Sequence, residues 1–198
     1  FLGNYRCNAL GLALNRLWHA PPLFGAPTIH AVRNLAQSYM RNSQCTLHLF
    51  LDMHAHTTCM NGFLFANAPD DPRLMEGVAA FPRALAAHAK DLSLGTKFCS
   101  DPSKVGTGRR ALGAMLPGVH CYTFEVSCYC AAQGNVRTEP YSPQSYIEMG
   151  HAMGLAFHEY FGAQMAASPP QQPSPPLGRA SAIARGGLAS GPPGPTRA

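Results

Sequence analysis

Two apolar stretches constrain the fold of this chain more than any other feature of its sequence. "LHLFLD" at 47–52 and "HCYTFEVSCYC" at 120–130 are largely apolar, and the second is rich in aromatic and β-branched residues. Both patterns are typical of buried strands. The segment 28–42, just before the first stretch, carries apolar residues at helical spacing. Because a helix leads into a buried strand, the order favours an α/β layered fold.

The same patterns predict the remaining elements. A short strand is expected at "GFLFAN", 62–67, and further helices are expected at 71–92 and 142–165. Thr28 is predicted to cap the first helix, and Pro82 is predicted to kink or divide the second. The chain shows no internal repeat.

The segment 168–198 differs from the rest of the chain in composition. It holds 8 of the 18 prolines and no aromatic residue, so it buries too little apolar surface to offset the entropy of ordering. It is predicted to be a disordered tail. Its three arginines supply 3 of the formal net charge of +5. The remainder is therefore only mildly basic, and a nucleic-acid partner is not implied.

The seven cysteines include no CxxC pair, which favours a reduced, intracellular compartment. No stretch has about 20 consecutive apolar residues and no signal-peptide pattern is found, so neither a membrane span nor secretion is predicted. The sequence begins at Phe1 rather than at a methionine. We therefore expect it to be a piece of a longer protein.

A first candidate for chemistry is the pattern "DMHAH", with Asp52, His54 and His56. Residues two apart on a strand point to one side, so the three side chains are expected on one face. A neutral imidazole suits zinc, and a nearby carboxylate can orient the ring. The alternative is a pair of hydrogen-bonded loop histidines. The pattern alone leaves both interpretations open.

A second candidate is the Gly-rich region that contains "NYRC" and "LNRLW", with Arg6, Asn15 and Arg16. Arginine forks match carboxylates, and an adjacent asparagine adds an amide donor, so together they could hold an anion. The alternative is a pair of surface arginines.

Glu125 is the third candidate, because it stands within the second apolar stretch. A carboxylate buried there must be paired, protonated or bound to a metal-linked water. Beside such a water it would act as a general base. The alternative is a structural ion pair with Arg109 or Arg110.

The fourth candidate is the basic loop "KVGTGRR" at 104–110. Two glycines among cations could cradle a phosphate or receive an acidic side chain. The lysine precedes the glycines, however, which is not the order of a nucleotide-binding P-loop. The alternative is a solvated basic turn.

Taken in order, these motifs resemble the metallocarboxypeptidases, and among them the cytosolic carboxypeptidases that remove glutamates from tubulin. "GNYRC…LNRLW", "LDMHAHTTCMNGF", "GTGRRALG" and "YTFEVS" follow that family's order and approximate spacing over residues 2–162. "MNGF" and "GTGRR…YTFEVS" are most similar to its type 6 branch. The resemblance implies an α/β/α sandwich with a mixed central sheet. It corresponds to a partial catalytic domain at 1–167, followed by the tail at 168–198.

The resemblance also implies catalytic roles. His54 would be a zinc ligand, and Glu125 would be the base that deprotonates the zinc-bound water. Arg6 would polarise the scissile carbonyl and stabilise the oxyanion, an electrostatic role that is often the largest contribution to catalysis. His56 would be a neighbour that shapes the site.

Substrate recognition is implied for four further residues. Asn15 and Arg16 would hold the C-terminal carboxylate of the substrate, which makes the enzyme an exopeptidase. Arg110, or as second choice Arg109, would face the side chain of the terminal residue, and a cation there favours glutamate.

Three departures from the family pattern stand out. The family's HxxE zinc motif should precede Arg6, and the sequence has none there, so we expect the other two zinc ligands upstream of residue 1. The β-rich domain that precedes the catalytic domain in the family is also missing. In addition, Ala13 stands where the family usually has an aspartate before the Asn-Arg pair, which is expected to loosen that loop.

The sequence therefore predicts zinc-dependent removal of C-terminal or side-chain glutamates. The expected partners are tubulin or microtubules and other proteins with glutamate-rich C-termini, with neither nucleic acid nor membrane. The expected location is the cytoplasm, with the cytoskeleton or the cilium as further sites. The main alternative is a truncated, inactive protein that binds acidic tails. A barrel-type amidohydrolase would need a longer chain and further metal-binding residues.

Overall fold

The structure is a computed structural model, and it describes residues 6–92, 96–132 and 139–167. The predicted tail, 168–198, lies outside the described residues. In chain order the elements are α1 (Pro27–Arg41), β1 (Leu49–His56), β2 (Gly62–Ala66), α2 (Met75–His88), β3 (Lys97–Phe98), α3 (Gly108–Met115), β4 (His120–Ser127), β5 (Cys130–Ala131), β6 (Glu139–Pro140) and α4 (Pro143–Ala167). Short 3-10 turns lie at Leu14–Arg16, Pro72–Leu74 and Pro102–Lys104.

Four strands form a mixed sheet in the order β1-β4-β2-β3. β1 runs parallel to β4, β2 runs antiparallel to β4, and β3 is parallel to β2. The two apolar stretches of the sequence are thus neighbouring strands. The mixed α/β fold implied by the family resemblance is confirmed.

Helices cover the sheet on both faces. On one face α2 and α4 pack over Tyr122 and Phe124 of β4, and this cluster includes Phe81 and Leu85 of α2. On the other face α1 and α3 pack with Trp18 over Cys121. Alternate residues of one strand therefore belong to different cores, as the two-residue period of a strand requires.

Several predicted boundaries change in the structure. β1 continues through His56, so the "DMHAH" histidines lie within the strand rather than after it. Thr28 does not cap α1, because the helix begins at Pro27 behind Ala26, and proline is well suited to that first position. Pro82 is buried within α2, which remains a single helix and is not divided.

The last helix begins as its sequence predicts. The Ser142 hydroxyl accepts a hydrogen bond from the Ser145 backbone N–H at 3.2 Å, which satisfies one of the free N–H groups at the start of α4. Of the helices in the described ranges, none is both long and apolar enough to cross a membrane.

Candidate active site

The site lies where β1 and β4 run side by side in parallel. Their register pairs Asp52 with Thr123, His54 with Glu125 and His56 with Ser127. Residues paired across parallel strands project from the same face, so the register places the candidate histidine beside the candidate base. This face is the one that α1 and α3 leave uncovered towards the carboxyl ends of the two strands.

His54 lies between two carboxylates. Its Nε2 is 2.9 Å from Asp52 Oδ1, and its Nδ1 is 3.4 Å from Glu125 Oε1. The hydrogen bond with Asp52, followed by that with Glu125, raises the pKa of His54 to about 10, although partial burial acts in the opposite direction. In this arrangement Glu125 pairs with the imidazole and not with an arginine of α3.

His56 has a different environment although it shares the same face of β1. Its Nδ1 accepts hydrogen bonds from the backbone N–H groups of Thr58 and Cys59, each at 3.1 Å. Its ring also stands edge-on to Phe63, with 5.2 Å between the centroids. Nδ1 is thus used as an acceptor by the following turn, and His56 lines the cleft without a hydrogen bond to His54 or Glu125 among the described residues.

The loop that carries Asn15 and Arg16 is tied to its surroundings. Asn15 Nδ2 donates to Asp52 Oδ2 at 3.0 Å and lies 2.9 Å from His54 Nε2. Arg16 donates to the Asn15 carbonyl at 2.7 Å, and Cys7 and Ala13 form an isolated β-bridge. The loosening expected from Ala13 is therefore offset by contacts from other elements.

Two glycines allow this loop to dock on the start of α3. A Cβ on Gly106 would lie 2.1 Å from the Arg16 carbonyl oxygen, and one on Gly108 would lie 3.1 Å from the Trp18 ring. The backbone N–H of Gly108 donates to Asn15 Oδ1 at 3.0 Å, and that of Trp18 donates to the Gly106 carbonyl at 3.1 Å. The glycines of "KVGTGRR" are thus explained by close backbone approach.

Arg109 and Arg110 share the Cys99 carbonyl oxygen as an acceptor but differ in burial and in their other contacts. Arg109 is 3% exposed and donates to Ala66 O, Asn67 Oδ1 and Cys99 O. Its Nε is buried without a hydrogen-bond partner among the described residues. Burial lowers the pKa of Arg109. Arg110 donates to Cys99 O at 2.9 Å.

These residues surround a cleft of about 630 Å³. Its lining includes the predicted residues Arg6, Asn15, Arg16, His54, Arg109 and Glu125. Lys104 also lines it, whereas the sequence predicts an anion-binding role only for the loop that contains this residue. Arg110 is not among the lining residues, although its guanidinium donates to the same Cys99 carbonyl oxygen as that of Arg109. The structure thus brings together every predicted site residue except the preferred arginine.

The donor set does not fit a catalytic zinc. No group of three or more His, Cys, Asp or Glu side chains in the described ranges could hold a metal ion. The segments outside those ranges contain none of these residue types. Since catalytic zinc needs three protein ligands, His54 alone does not provide the site.

Sequence comparison identifies relatives of the chain. Human cytosolic carboxypeptidase 6 is 38% identical over 164 residues, which are 81% of this chain and 33% of that protein. The Caenorhabditis elegans protein of the same name is 36% identical over 175 residues, with 82% of this chain and 38% of that protein covered. The chain thus spans about a third of the length of these relatives. No protein-family model matches it.

Solved structures share the fold. A metallo-carboxypeptidase from Burkholderia cenocepacia aligns with a TM-score of 0.67 at 20% identity, over 80% of this chain and 40% of that one. A metallo-carboxypeptidase from Pseudomonas aeruginosa, in complex with (2-guanidinoethylmercapto)succinic acid, aligns with a TM-score of 0.61 at 19% identity, over 79% and 41% of the two chains. Over four fifths of its length, the chain is therefore homologous to the cytosolic carboxypeptidases and has a metallo-carboxypeptidase fold.

Proposed function

We propose that the protein containing this chain is a zinc-dependent carboxypeptidase that removes C-terminal or side-chain glutamates from acidic protein tails, such as that of polyglutamylated tubulin. The observation that carries the proposal is the charge of the cleft. Four cations, Arg6, Arg16, Lys104 and Arg109, line it together with a single carboxylate. Such a cleft favours a substrate that carries several carboxylates.

The roles of the cations follow from their positions. Arg16, beside Asn15, would bind the terminal carboxylate, and its fork suits bidentate binding. Arg109 would face the glutamate side chain, because its buried Nε is a donor without a partner among the described residues and an unpaired buried donor is costly. Lys104 adds charge to the same wall. Arg6 would stabilise negative charge on the scissile carbonyl oxygen.

Glu125 is the candidate general base. It is part-buried, and it projects into the cleft beside His54. It would take the proton of the attacking water and pass it to the leaving amine. Zinc dependence belongs to the proposal through the family alone, because the residues of this chain supply one imidazole. The remaining ligands would come from other parts of the complete protein, and the relatives' names favour a cytosolic location.

The test uses the complete protein expressed from its own gene. It is expected to release glutamate from a synthetic peptide that ends in a run of glutamates, measured by mass spectrometry. Glu125→Gln is expected to lower the rate by at least about 100-fold, the lower range for a general base. Retained activity in this variant, or equally fast cleavage of a matched alanine-ended peptide, would contradict the proposal.

A second candidate function is favoured by the small number of candidate zinc ligands in this chain. The chain by itself would bind acidic tails without cleaving them, because it holds one candidate zinc ligand. Calorimetric titration of the 198-residue chain with zinc is expected to show weak or sub-stoichiometric binding, whereas the glutamate-ended peptide should bind. Tight, stoichiometric zinc binding would mean that the chain carries a complete site.

A further inference from the structure

We propose that Asp52 is a positioning residue that couples the substrate-binding loop to the His54–Glu125 pair. The inference deepens the proposed function, since it concerns how the same site is held in shape. Neither the family resemblance nor the comparisons assign this residue a role, and it is not among the residues that line the cleft.

The first observation is that both carboxylate oxygens of Asp52 are used. Oδ1 lies 2.9 Å from His54 Nε2, and Oδ2 accepts from Asn15 Nδ2 at 3.0 Å. The Asp52 side chain is 18% exposed, so water replaces these partners poorly. One side chain of β1 therefore holds a residue of its own strand and a residue of the loop before α1.

The second observation is that Asn15 cannot simply reverse its amide. Its Oδ1 accepts from the Gly108 backbone N–H at 3.0 Å, which leaves Nδ2 as the end that faces Asp52. The hydrogen bonds thus form one chain from Gly108 through Asn15 and Asp52 to His54. This chain joins the start of α3, the Leu14–Arg16 turn and β1, beside the packing of Gly108 and Trp18 against Phe50.

The third observation is that the contact of His54 with Glu125 is long. Nδ1 is 3.4 Å from Glu125, whereas Nε2 is 2.9 Å from Asp52 Oδ1 and 2.9 Å from Asn15 Nδ2, so the ring is held most closely on the side of Asp52 and Asn15. Because Nε2 points to Asp52, Nδ1 points to Glu125 and the cleft. Without Asp52, His54 Nε2 and the Asn15 amide would both lose their carboxylate acceptor. The loop that carries Arg16 would lose one of its links to β1, while the packing of Trp18 on Phe50 remains.

An exchange of the two side chains tests the proposal in the 198-residue chain. Asp52→Asn replaces one carboxylate oxygen with an NH₂ group. This donor then points at another donor, either Asn15 Nδ2 or His54 Nε2. Asn15→Asp places a second carboxylate against Asp52. The double variant N15D/D52N rebuilds the three bonds of this chain with the donors and acceptors exchanged. Oδ1 of the new amide at position 52 accepts from His54, and its Nδ2 donates to the new carboxylate at position 15. That carboxylate accepts from Gly108.

Two readouts decide the inference without substrate. Each single variant disrupts the hydrogen bond between the side chains at positions 15 and 52, and with it the orientation of the group that accepts from Gly108. Hydrogen exchange at the Gly108 amide is therefore expected to accelerate by about tenfold, the factor for one lost hydrogen bond to a charged group. The ¹⁵N signals of the His54 ring should move in Asp52→Asn. Both should return towards wild type in the double variant. Unchanged values in the single variants, or a double variant no better than the worse single one, would overturn the inference.

Folding failure is also informative in this design. If a single variant unfolds, a folded double variant supports the coupling and an unfolded one overturns it. Asp70→Asn is the matched control, since Asp70 is exposed and the same change there should leave both readouts at wild-type values.

Peptide affinity separates positioning from simple electrostatics. Removal of a negative charge near a cationic cleft should by itself tighten the binding of a glutamate-ended peptide. Loss of positioning should instead weaken it in Asp52→Asn, by about tenfold. Tighter binding would overturn the inference. If the wild-type chain does not bind the peptide at all, binding by the chain fails as a proposal, while the exchange and ring signals still decide the role of Asp52.

Discussion

The two faces of β1 and β4 carry different kinds of side chain, although both belong to the same strands. On one face, Tyr122 and Phe124 are buried under α2 and α4. On the other, Thr123 and Glu125, each one residue away, face the cleft. The first face is closed and apolar, and the second holds charged groups in partial contact with water. Because side chains alternate along a strand, the residues that stabilise the closed core and the candidate catalytic residues lie on opposite faces of the same strands.

The largest expected effect comes from opening the apolar face. Phe81→Ala should lower the free energy of unfolding by about 3–5 kcal/mol, because a large buried ring leaves a cavity. Phe81 is 0% exposed and its ring lies 5.0 Å from that of Phe157 and 5.6 Å from that of Tyr122. Urea unfolding followed by circular dichroism measures the loss.

The matched control removes the same ring from a solvent-exposed position. Phe24 is 93% exposed, so Phe24→Ala should change the free energy of unfolding by no more than about 0.5 kcal/mol. Equal losses in the two variants would show that the Phe81 ring does not stabilise a buried core between the sheet, α2 and α4.

A smaller effect on stability, with a large effect on binding, is expected at the cleft face. Arg109→Met removes the guanidinium that donates to three oxygen atoms. It should lower the free energy of unfolding by about 3 kcal/mol, because those acceptors lose their charged donor. It should also weaken binding of the glutamate-ended peptide by at least about tenfold. Arg110→Met should change both quantities less, as measured by urea unfolding and calorimetry. A larger loss of affinity in Arg110→Met would instead support the arginine that the sequence favoured.

The contact between loop and helix gives the third prediction. Gly106→Ala places a Cβ 2.1 Å from the Arg16 carbonyl oxygen, so the backbone must shift. The expected cost is about 1–3 kcal/mol of unfolding free energy. Peptide affinity should fall as well, because Arg16 moves with its carbonyl.

Gly154→Ala is the control for this substitution and should have the opposite sign. Nothing lies within 4 Å of a Cβ at this position of α4, and alanine is the better helix former by up to about 1 kcal/mol. A thermal melt of both variants checks the pair. Stabilisation by Gly106→Ala would disprove the close contact.

Much of the site could be predicted from local patterns. The order of the four motifs identified the family, and the apolar stretches indicated the strands that carry His54 and Glu125. The pairing of Glu125 could not be predicted in the same way. Arg109 or Arg110 was an equally reasonable ion partner in the sequence, and only the strand register placed His54 beside it.

The choice between the two arginines shows a similar limit. Both follow the same glycines, and a basic loop pattern does not state which one turns inwards. The direction of α3 decides it, because the docking of Gly106 and Gly108 against the Arg16 and Trp18 segment fixes where the helix starts. The orientation of Arg109 is thus a consequence of contacts made almost a hundred residues apart.

The sequence by itself determined the family, the three main strands and three of the helices, and the residue types available for chemistry, since these depend on local composition and spacing. It did not predict α3, which begins within the basic loop at 104–110. The tertiary structure decided which of those residues meet. It gave two histidines on one strand different partners, and it placed the Asp52 carboxylate in contact with both His54 and Asn15. The physical reason is that hydrogen bonds and charges act over a few ångströms, whereas spacing along a chain does not fix distance in space.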